Sequence, residues 1–422
     1  MSSNQQRAQL LRELGPFGAV LMGLGSILGT GVFVSVGLVV IQAGGWVLPA
    51  TLAAAFLALC NALSSAQLAA NHPTSGGTYA YGTRYLGPWP GFMAGWLFLL
   101  AKSFSAATAA LGFAGYLAVV FEIEHPAFQT AVAVTVVVLV TALVVSGLKR
   151  SNFGNTLIVG FSVLVLACFA GYGFFFAPES AVSSWSIEGE EASLPVFLQA
   201  TALMFVAYTG YGRIATLGEE VADPRRNIPR AILWTLAFSA LLYGAIAWNL
   251  ATVPREWLAA NPAAPLESVA MRWESPLLAG LIALGAATAM IGVLLNLVLG
   301  LSRVLFAMGR EGDMPRVFGQ VTASRSPRAA ILGMGAIVLA MVFIGNVGTT
   351  WSFSAFTVLG YYAVTNASAL KLTSSERLYP RLFSWLGLVG CLGLAFWVEV
   401  RIWVMGLSLI GLGALWRLAM RR

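Results

Sequence analysis

Between residues 23 and 33 the chain reads Gly23-Leu24-Gly25-Ser26-Ile27-Leu28-Gly29-Thr30-Gly31-Val32-Phe33, an apolar run broken by four glycines. No charge occurs from Phe17 to Ile41, so the run is long enough for one bilayer-crossing helix, which needs about 20 apolar residues. Gly29 and Gly31 allow its backbone to leave helical geometry near mid-depth. A second apolar stretch, Phe205-Val206-Ala207-Tyr208-Thr209-Gly210-Tyr211-Gly212, again sets two glycines near the middle of a span.

Working outward, the 422 residues are 58% hydrophobic and only 10% charged, against about 25% charged in a soluble domain. Such a composition excludes a water-soluble fold. The apolar runs are continuous rather than alternating, which favours helices over an outer-membrane barrel. Runs bounded by charged or turn-forming clusters predict twelve spans near 17–41, 45–70, 90–119, 127–147, 154–177, 195–217, 231–251, 277–308, 329–346, 350–371, 382–398 and 402–419. Only Glu399 and Arg401 separate the last two, and a single re-entrant hairpin is the alternative there. The first segment lacks a small-residue cleavage site and reads as a retained span.

Basic residues accumulate on the cytoplasmic side of such proteins. With both termini inside, 19 of the 24 Lys and Arg residues fall on cytoplasmic segments, while Arg255, Arg272 and Arg401 lie outside and Lys102 and Arg213 lie within spans. The net charge of +7 therefore marks sidedness in an inner, plasma-type membrane and not nucleic-acid binding. Cys60, Cys168 and Cys391 sit singly in apolar runs and read as packing residues, and His72 and His125 are too isolated for a metal site or triad. No cofactor or metal is expected.

Breaking a helix in lipid strands amides and carbonyls at several kcal/mol each, so a break survives where protein, water or a ligand satisfies them. Two breaks at corresponding places in two inverted halves point to a midplane transport site. Amides freed after the Gly29–Gly31 break suit a carboxylate, and carbonyls freed before it accept from an ammonium; an amino acid has both. Close helix packing through small residues such as Gly25 and Gly29 is the other reading of these glycines.

Four motifs carry a resemblance to the amino acid/polyamine/organocation superfamily of permeases over the first ten spans. They are Gly29-Thr30-Gly31-Val32-Phe33; Pro73-Thr74-Ser75-Gly76-Gly77-Thr78-Tyr79-Ala80-Tyr81; Gly218-Glu219-Glu220-Val221-Ala222-Asp223-Pro224-Arg225-Arg226-Asn227-Ile228-Pro229-Arg230-Ala231; and Ser302-Arg303-Val304-Leu305-Phe306-Ala307-Met308-Gly309-Arg310-Glu311-Gly312-Asp313-Met314-Pro315. The resemblance implies an all-α membrane protein of about twelve helices, with a five-plus-five inverted-repeat core at 16–372, unwound helices 1 and 6, and two peripheral helices at 380–422. By position it implies that Ser26, Ile27, Gly29, Thr30 and Gly31 hold the substrate's charged groups from span 1, with Phe205, Tyr208, Thr209 and Gly210 doing so from span 6.

Two departures stand out. Counting from Lys149-Arg150-Ser151 brings Ser162 to the place where many proton-coupled relatives carry a lysine, and Val206 occupies the place of a gating aromatic that Phe205 or Tyr208 would replace. Lys102, mid-span, reads either as a coupling group or as a lysine bonded to carbonyls or snorkelling. Arg213 reads as a cytoplasmic path residue or as a partner of Glu219 or Glu220; Asn296 and Thr288 offer oxygens for a sodium site between spans 1 and 8; and Tyr361 and Tyr362 either cap the substrate or pack.

The chain is thus read as a secondary transporter of amino acids, neutral ones foremost, working by alternating access through proton or sodium symport or by exchange. A transporter of polyamines or organic cations is the alternative, less favoured because no carboxylate falls mid-span. A channel lacks a filter motif, and a membrane-embedded enzyme lacks grouped intramembrane acids or histidines. No phosphate loop is present.

Overall fold

The computed structural model describes residues 15–72, 76–123, 125–147, 152–176, 193–216, 221–321 and 326–420, the side chains of residues 152, 153, 215 and 216 excepted. Pro73 to Ser75, Lys149 to Ser151 and Gly218 to Glu220 of the quoted motifs lie outside that set.

The described residues form seventeen α-helices: α1 (Pro16–Ile27), α2 (Val36–Ala43), α3 (Val47–Asn71), α4 (Gly77–Tyr85), α5 (Pro88–Val120), α6 (Pro126–Val145), α7 (Asn152–Phe176), α8 (Leu194–Tyr208), α9 (Gly212–Thr216), α10 (Pro224–Ala251), α11 (Arg255–Ala260), α12 (Pro265–Arg272), α13 (Pro276–Arg310), α14 (Arg328–Val342), α15 (Val347–Leu370), α16 (Arg381–Ala395) and α17 (Val400–Met420). α1 with α2, and α8 with α9, make one span each, while α4, α11 and α12 lie in connections. Twelve spans result. Eight segments are long and apolar enough to cross a bilayer unaided, α1, α14 and α16 are shorter apolar helices, and α15 is long but rich in Ser and Thr. The last two segments form separate helices rather than one.

This molecule is apolar where a soluble protein is polar. Leu139, Leu164, Phe175, Leu241, Leu284 and Leu415 are exposed on its flanks, whereas Asn61, Ser64, Thr108, Ser354 and Asn366 are buried. The buried polar groups pair between helices: Ser105 with Ser354 at 2.7 Å, Thr108 to Thr350 at 2.8 Å and Thr78 with Thr365 at 2.9 Å. In lipid, which rewards no apolar association, such bonds and close packing hold helices together. α15 therefore lies at the centre, packed along α5, α16 and α3.

Polarity also distinguishes the two faces. Arg84, Arg225, Arg310, Arg316, Arg377 and Arg417 mark one face, where Arg225 donates to the Ser375 carbonyl at 3.4 Å and Gln67 accepts from the Leu378 and Tyr379 amides. Arg255 and Arg272 lie in the connecting helices α11 and α12 after α10, and Arg401 lies in the first turn of α17. On the arginine-rich face Asp223 opens α10 in the left-handed region, φ 43° and ψ 66°, a conformation that Asp tolerates better than most residues, and Pro224 follows with the fixed φ a first helical turn requires.

Two expectations need correction. Cys168 is exposed on α7, while Cys60 and Cys391 are buried. The break in the first span covers Leu28 and Gly29 and does not extend to Gly31: α1 stops at Ile27 and Leu28 is extended, φ −77° and ψ 95°. Helix resumes as a π-turn, Gly31–Ser35, before α2.

Candidate functional site

The two breaks meet. Beyond Leu28, the first amides of the resumed helix, through Gly31, have no acceptor within it, while the Val32 and Phe33 amides bond back to the Gly29 carbonyl at 3.1 and 3.0 Å. In the sixth span the α-helix tightens at Tyr208 into a 3-10 turn, Thr209–Tyr211, before α9. Gly210 is required here because a Cβ on it would collide with the Ser26 carbonyl. Gly31 is required likewise, since its Cβ would lie 2.8 Å from the Tyr243 hydroxyl and 3.1 Å from Ala207.

Tyr243, on α10, joins the breaks directly. Its hydroxyl lies 2.9 Å from the Ile27 carbonyl and 3.2 Å from the Ala207 carbonyl, so one proton serves the end of α1 and the end of α8. Nothing in the sequence singles it out: the tyrosine lies 216 residues from Ile27 and belongs to no motif.

A cavity of about 120 Å³ opens beside this junction. Ser26, Lys102, Thr209, Gly210, Arg213 and Tyr361 line it, with Tyr362, Asn296, Phe98, Ser65 and the Gly76–Tyr79 turn. It runs toward the arginine-rich face, where Arg303 is also part of its wall. Across the junction the way is filled by aromatic side chains: Phe33 lies edge-on to Tyr116, Phe104 stacks on Phe353 at 4.7 Å, and Trp351 donates to the Leu203 carbonyl at 3.0 Å.

Eight of the residues weighed in the sequence share this cavity: Ser26, Lys102, Thr209, Gly210, Arg213, Asn296, Tyr361 and Tyr362. Of the others, Ile27 meets Tyr243 through its carbonyl, Gly29 abuts Val293, and Gly31 abuts Ala207. Thr30 is buried and its hydroxyl makes no hydrogen bond among the described residues. Phe205 packs edge-on to Tyr362 with ring centres 5.8 Å apart, and Tyr208 lies against Tyr243 while donating to the Thr51 carbonyl at 3.4 Å. Ser162 is buried on α7, its hydroxyl returned to the Ile158 carbonyl at 2.8 Å, outside the cavity. Asn296 reaches the cavity, whereas Thr288 bonds back to Leu284 and Gly285 of its own helix. Glu219 and Glu220 lie outside the described residues.

Lys102 is the most unusual member of the lining. Its ammonium donates to Thr209 Oγ1 at 3.2 Å and stands 5.9 Å from the Tyr361 ring centre. Thr209 donates in turn to the Val206 carbonyl at 2.8 Å, and Tyr362 donates to the Thr209 carbonyl at 3.2 Å. A lysine on α5 and a tyrosine on α15 thereby fix the same turn.

A bundle of apolar-surfaced helices, whose first span breaks and whose sixth tightens where the two meet beside a cavity lined by Ser26, Lys102 and Thr209, is the architecture of a membrane transporter. The amino acid permease family model matches residues 18–418, and the chain belongs to that family. An uncharacterized transporter of Mycobacterium tuberculosis is 40% identical over 413 residues, 96% of this chain and 90% of the relative. The branched-chain amino acid permease of Bacillus subtilis is 28% identical over 417 residues, 92% of this chain and 86% of the relative. A methylthioribose transporter of the same organism is 28% identical over 386 residues, 85% and 82% of the two chains.

Proposed function

We propose that this permease carries neutral amino acids by alternating access, binding them at the junction of the two broken spans. The observation carrying this reading is the cavity that joins Ser26 to Thr209 and Gly210, where free amides after Leu28 suit a carboxylate and nearby carbonyls suit an ammonium. Ser26, Ile27, Gly29, Thr30 and Gly31 with Phe205, Tyr208, Thr209 and Gly210 form the binding set, and Arg213 and Tyr361 line the route to it. On this proposal the aromatic packing across the junction is the closed gate of one end state of the cycle, and the same residues meet the other face after the breaks rearrange.

On this reading residues 16–372 are the moving core and 380–422 form peripheral helices. The arginine-rich face is cytoplasmic by the positive-inside rule, both termini lie inside, and the membrane is the plasma membrane. A proton or sodium gradient, or exchange, drives the cycle, and no covalent chemistry is involved. Among the described residues no Asp or Glu lines the cavity, which disfavours polyamines and cationic amino acids, whose extra ammonium groups would need a counter-charge at that depth.

Uptake into proteoliposomes tests the proposal. Radiolabelled leucine, alanine, lysine, putrescine and methylthioribose are compared under imposed proton and sodium gradients. Accumulation of a neutral amino acid that saturates, and that is reduced at least tenfold by Gly210→Val, supports it. Uptake of putrescine or methylthioribose alone refutes it.

A further inference from the structure

We infer that Lys102 is the specificity-determining residue of this site, admitting ligands that bring a free carboxylate and turning away amines that lack one. The inference rests on the reading of the junction as an amino acid site. It deepens that reading by assigning a side chain, in addition to backbone amides, to recognition of the carboxylate.

Three observations carry it. First, Lys102 is a mid-span lysine whose ammonium faces the cavity, and among the described residues it has no acidic partner: Thr209 Oγ1 at 3.2 Å and the Tyr361 ring at 5.9 Å are its contacts. An ammonium offers three protons, and Thr209 accepts one. Second, among the described residues no Asp or Glu lines the cavity into which Lys102 faces. An ionised group at such depth demands a counter-charge, and the substrate is what can supply it. Third, the acceptor Thr209 belongs to the 3-10 turn next to Gly210 and Ser26. A carboxylate at the junction therefore lies within reach of both the α5 lysine and the freed amides.

A cationic amine meets the opposite situation. It brings a second positive charge against Lys102 and finds, among the described residues, no carboxylate in the wall to offset it. Amino acids and their decarboxylated amines share a side chain, so this pair isolates the carboxylate.

The test measures competition against uptake of a labelled neutral amino acid in proteoliposomes, using leucine, leucine methyl ester and isoamylamine as competitors, with parent, Lys102→Gln and Lys102→Arg. Each variant is checked for a monodisperse elution profile before use. The parent is expected to bind leucine well and the ester and amine poorly. Lys102→Gln is expected to weaken leucine by about tenfold to a hundredfold, the worth of one hydrogen bond to a charged group, while the ester and amine gain, so the gap narrows; Lys102→Arg keeps the gap. A Lys102→Gln protein that retains the full gap overturns the inference while leaving the amino acid reading intact, also if only proton-driven accumulation is lost. A parent that binds isoamylamine more tightly than leucine overturns both. Should Lys102→Gln fail to elute cleanly, the parent and Lys102→Arg decide alone, since either one accepting the ester or amine as readily as leucine refutes the assignment.

Discussion

The Tyr243 hydroxyl shows how little of a site's chemistry need sit near it in sequence. It faces two carbonyls at helix ends, those of Ile27 and Ala207, and a buried carbonyl stripped of its donor costs about 1–3 kcal/mol. Tyr243→Phe keeps the ring that packs on Tyr208 and removes only this tie. We expect its thermal midpoint in detergent to fall slightly and its transport rate to fall by tenfold or more, because both breaks lose their common anchor; an unchanged rate would show that the tie is dispensable. Lys102, Thr209 and Gly210 were legible in the sequence because charge or glycine is conspicuous in an apolar span. Tyr243, Tyr116 and Trp351 were not, since an aromatic residue in a membrane helix looks the same whether it braces a break or fills space.

Among the elements, α12 is the clearest case of structure beyond what periodicity reveals. Helices of six to nine residues, such as α4, α11 and α12, are too short to show a helical apolar repeat. α12 nevertheless settles on the α2 half of the first span, where a Cβ on Gly37 would overlap Pro265. Tyr116 of α5 braces the same part of that span by donating to the Phe33 carbonyl at 2.7 Å. Beside it Glu267 is buried with one carboxyl oxygen lacking a hydrogen bond among the described residues, and burial pushes its pKa up from 4.5 to about 8. The folded protein then binds a proton that the unfolded chain has released between those values. This contribution is fully present below pH 4.5 and is lost as pH rises toward 8. Thermal midpoints measured from pH 5 to 8.5 are expected to fall with pH in the parent and to flatten in Glu267→Gln; parallel slopes would exclude Glu267 as the source. The break in span 1 was legible to within two residues, its π-turn was not, because the register shift depends on what Phe33 and Ser35 meet across the bundle.

For the molecule as a whole, the number and order of spans followed from apolarity, which the bilayer imposes directly. The interior arrangement did not. α15 carries buried Thr350, Ser354, Thr357, Thr365 and Asn366, and its central place depends on partners in α3, α4 and α5 that no local pattern encodes. Arg417 on α17 is another long-range case: it is 1% exposed, stands 4.8 Å from the Phe92 ring centre, and lies 3.6 Å from Asp313, which accepts from Tyr79 at 2.9 Å. One carboxylate thus joins the second and fourth motifs to the last helix. Breaking a buried pair from one side costs about 3 kcal/mol, so Asp313→Asn is expected to lower the thermal midpoint markedly while Arg310→Gln, at an exposed position, leaves it nearly unchanged; equal effects would place the pair's worth near zero. The same link sets a timetable for biogenesis. A ribosome adding about 5–20 residues per second completes Asp313 on the order of ten seconds before Arg417, and for that interval the nascent bundle holds its carboxylate without its cation. Membrane quality control would meet the chain in that window, before the last helix arrives to close it.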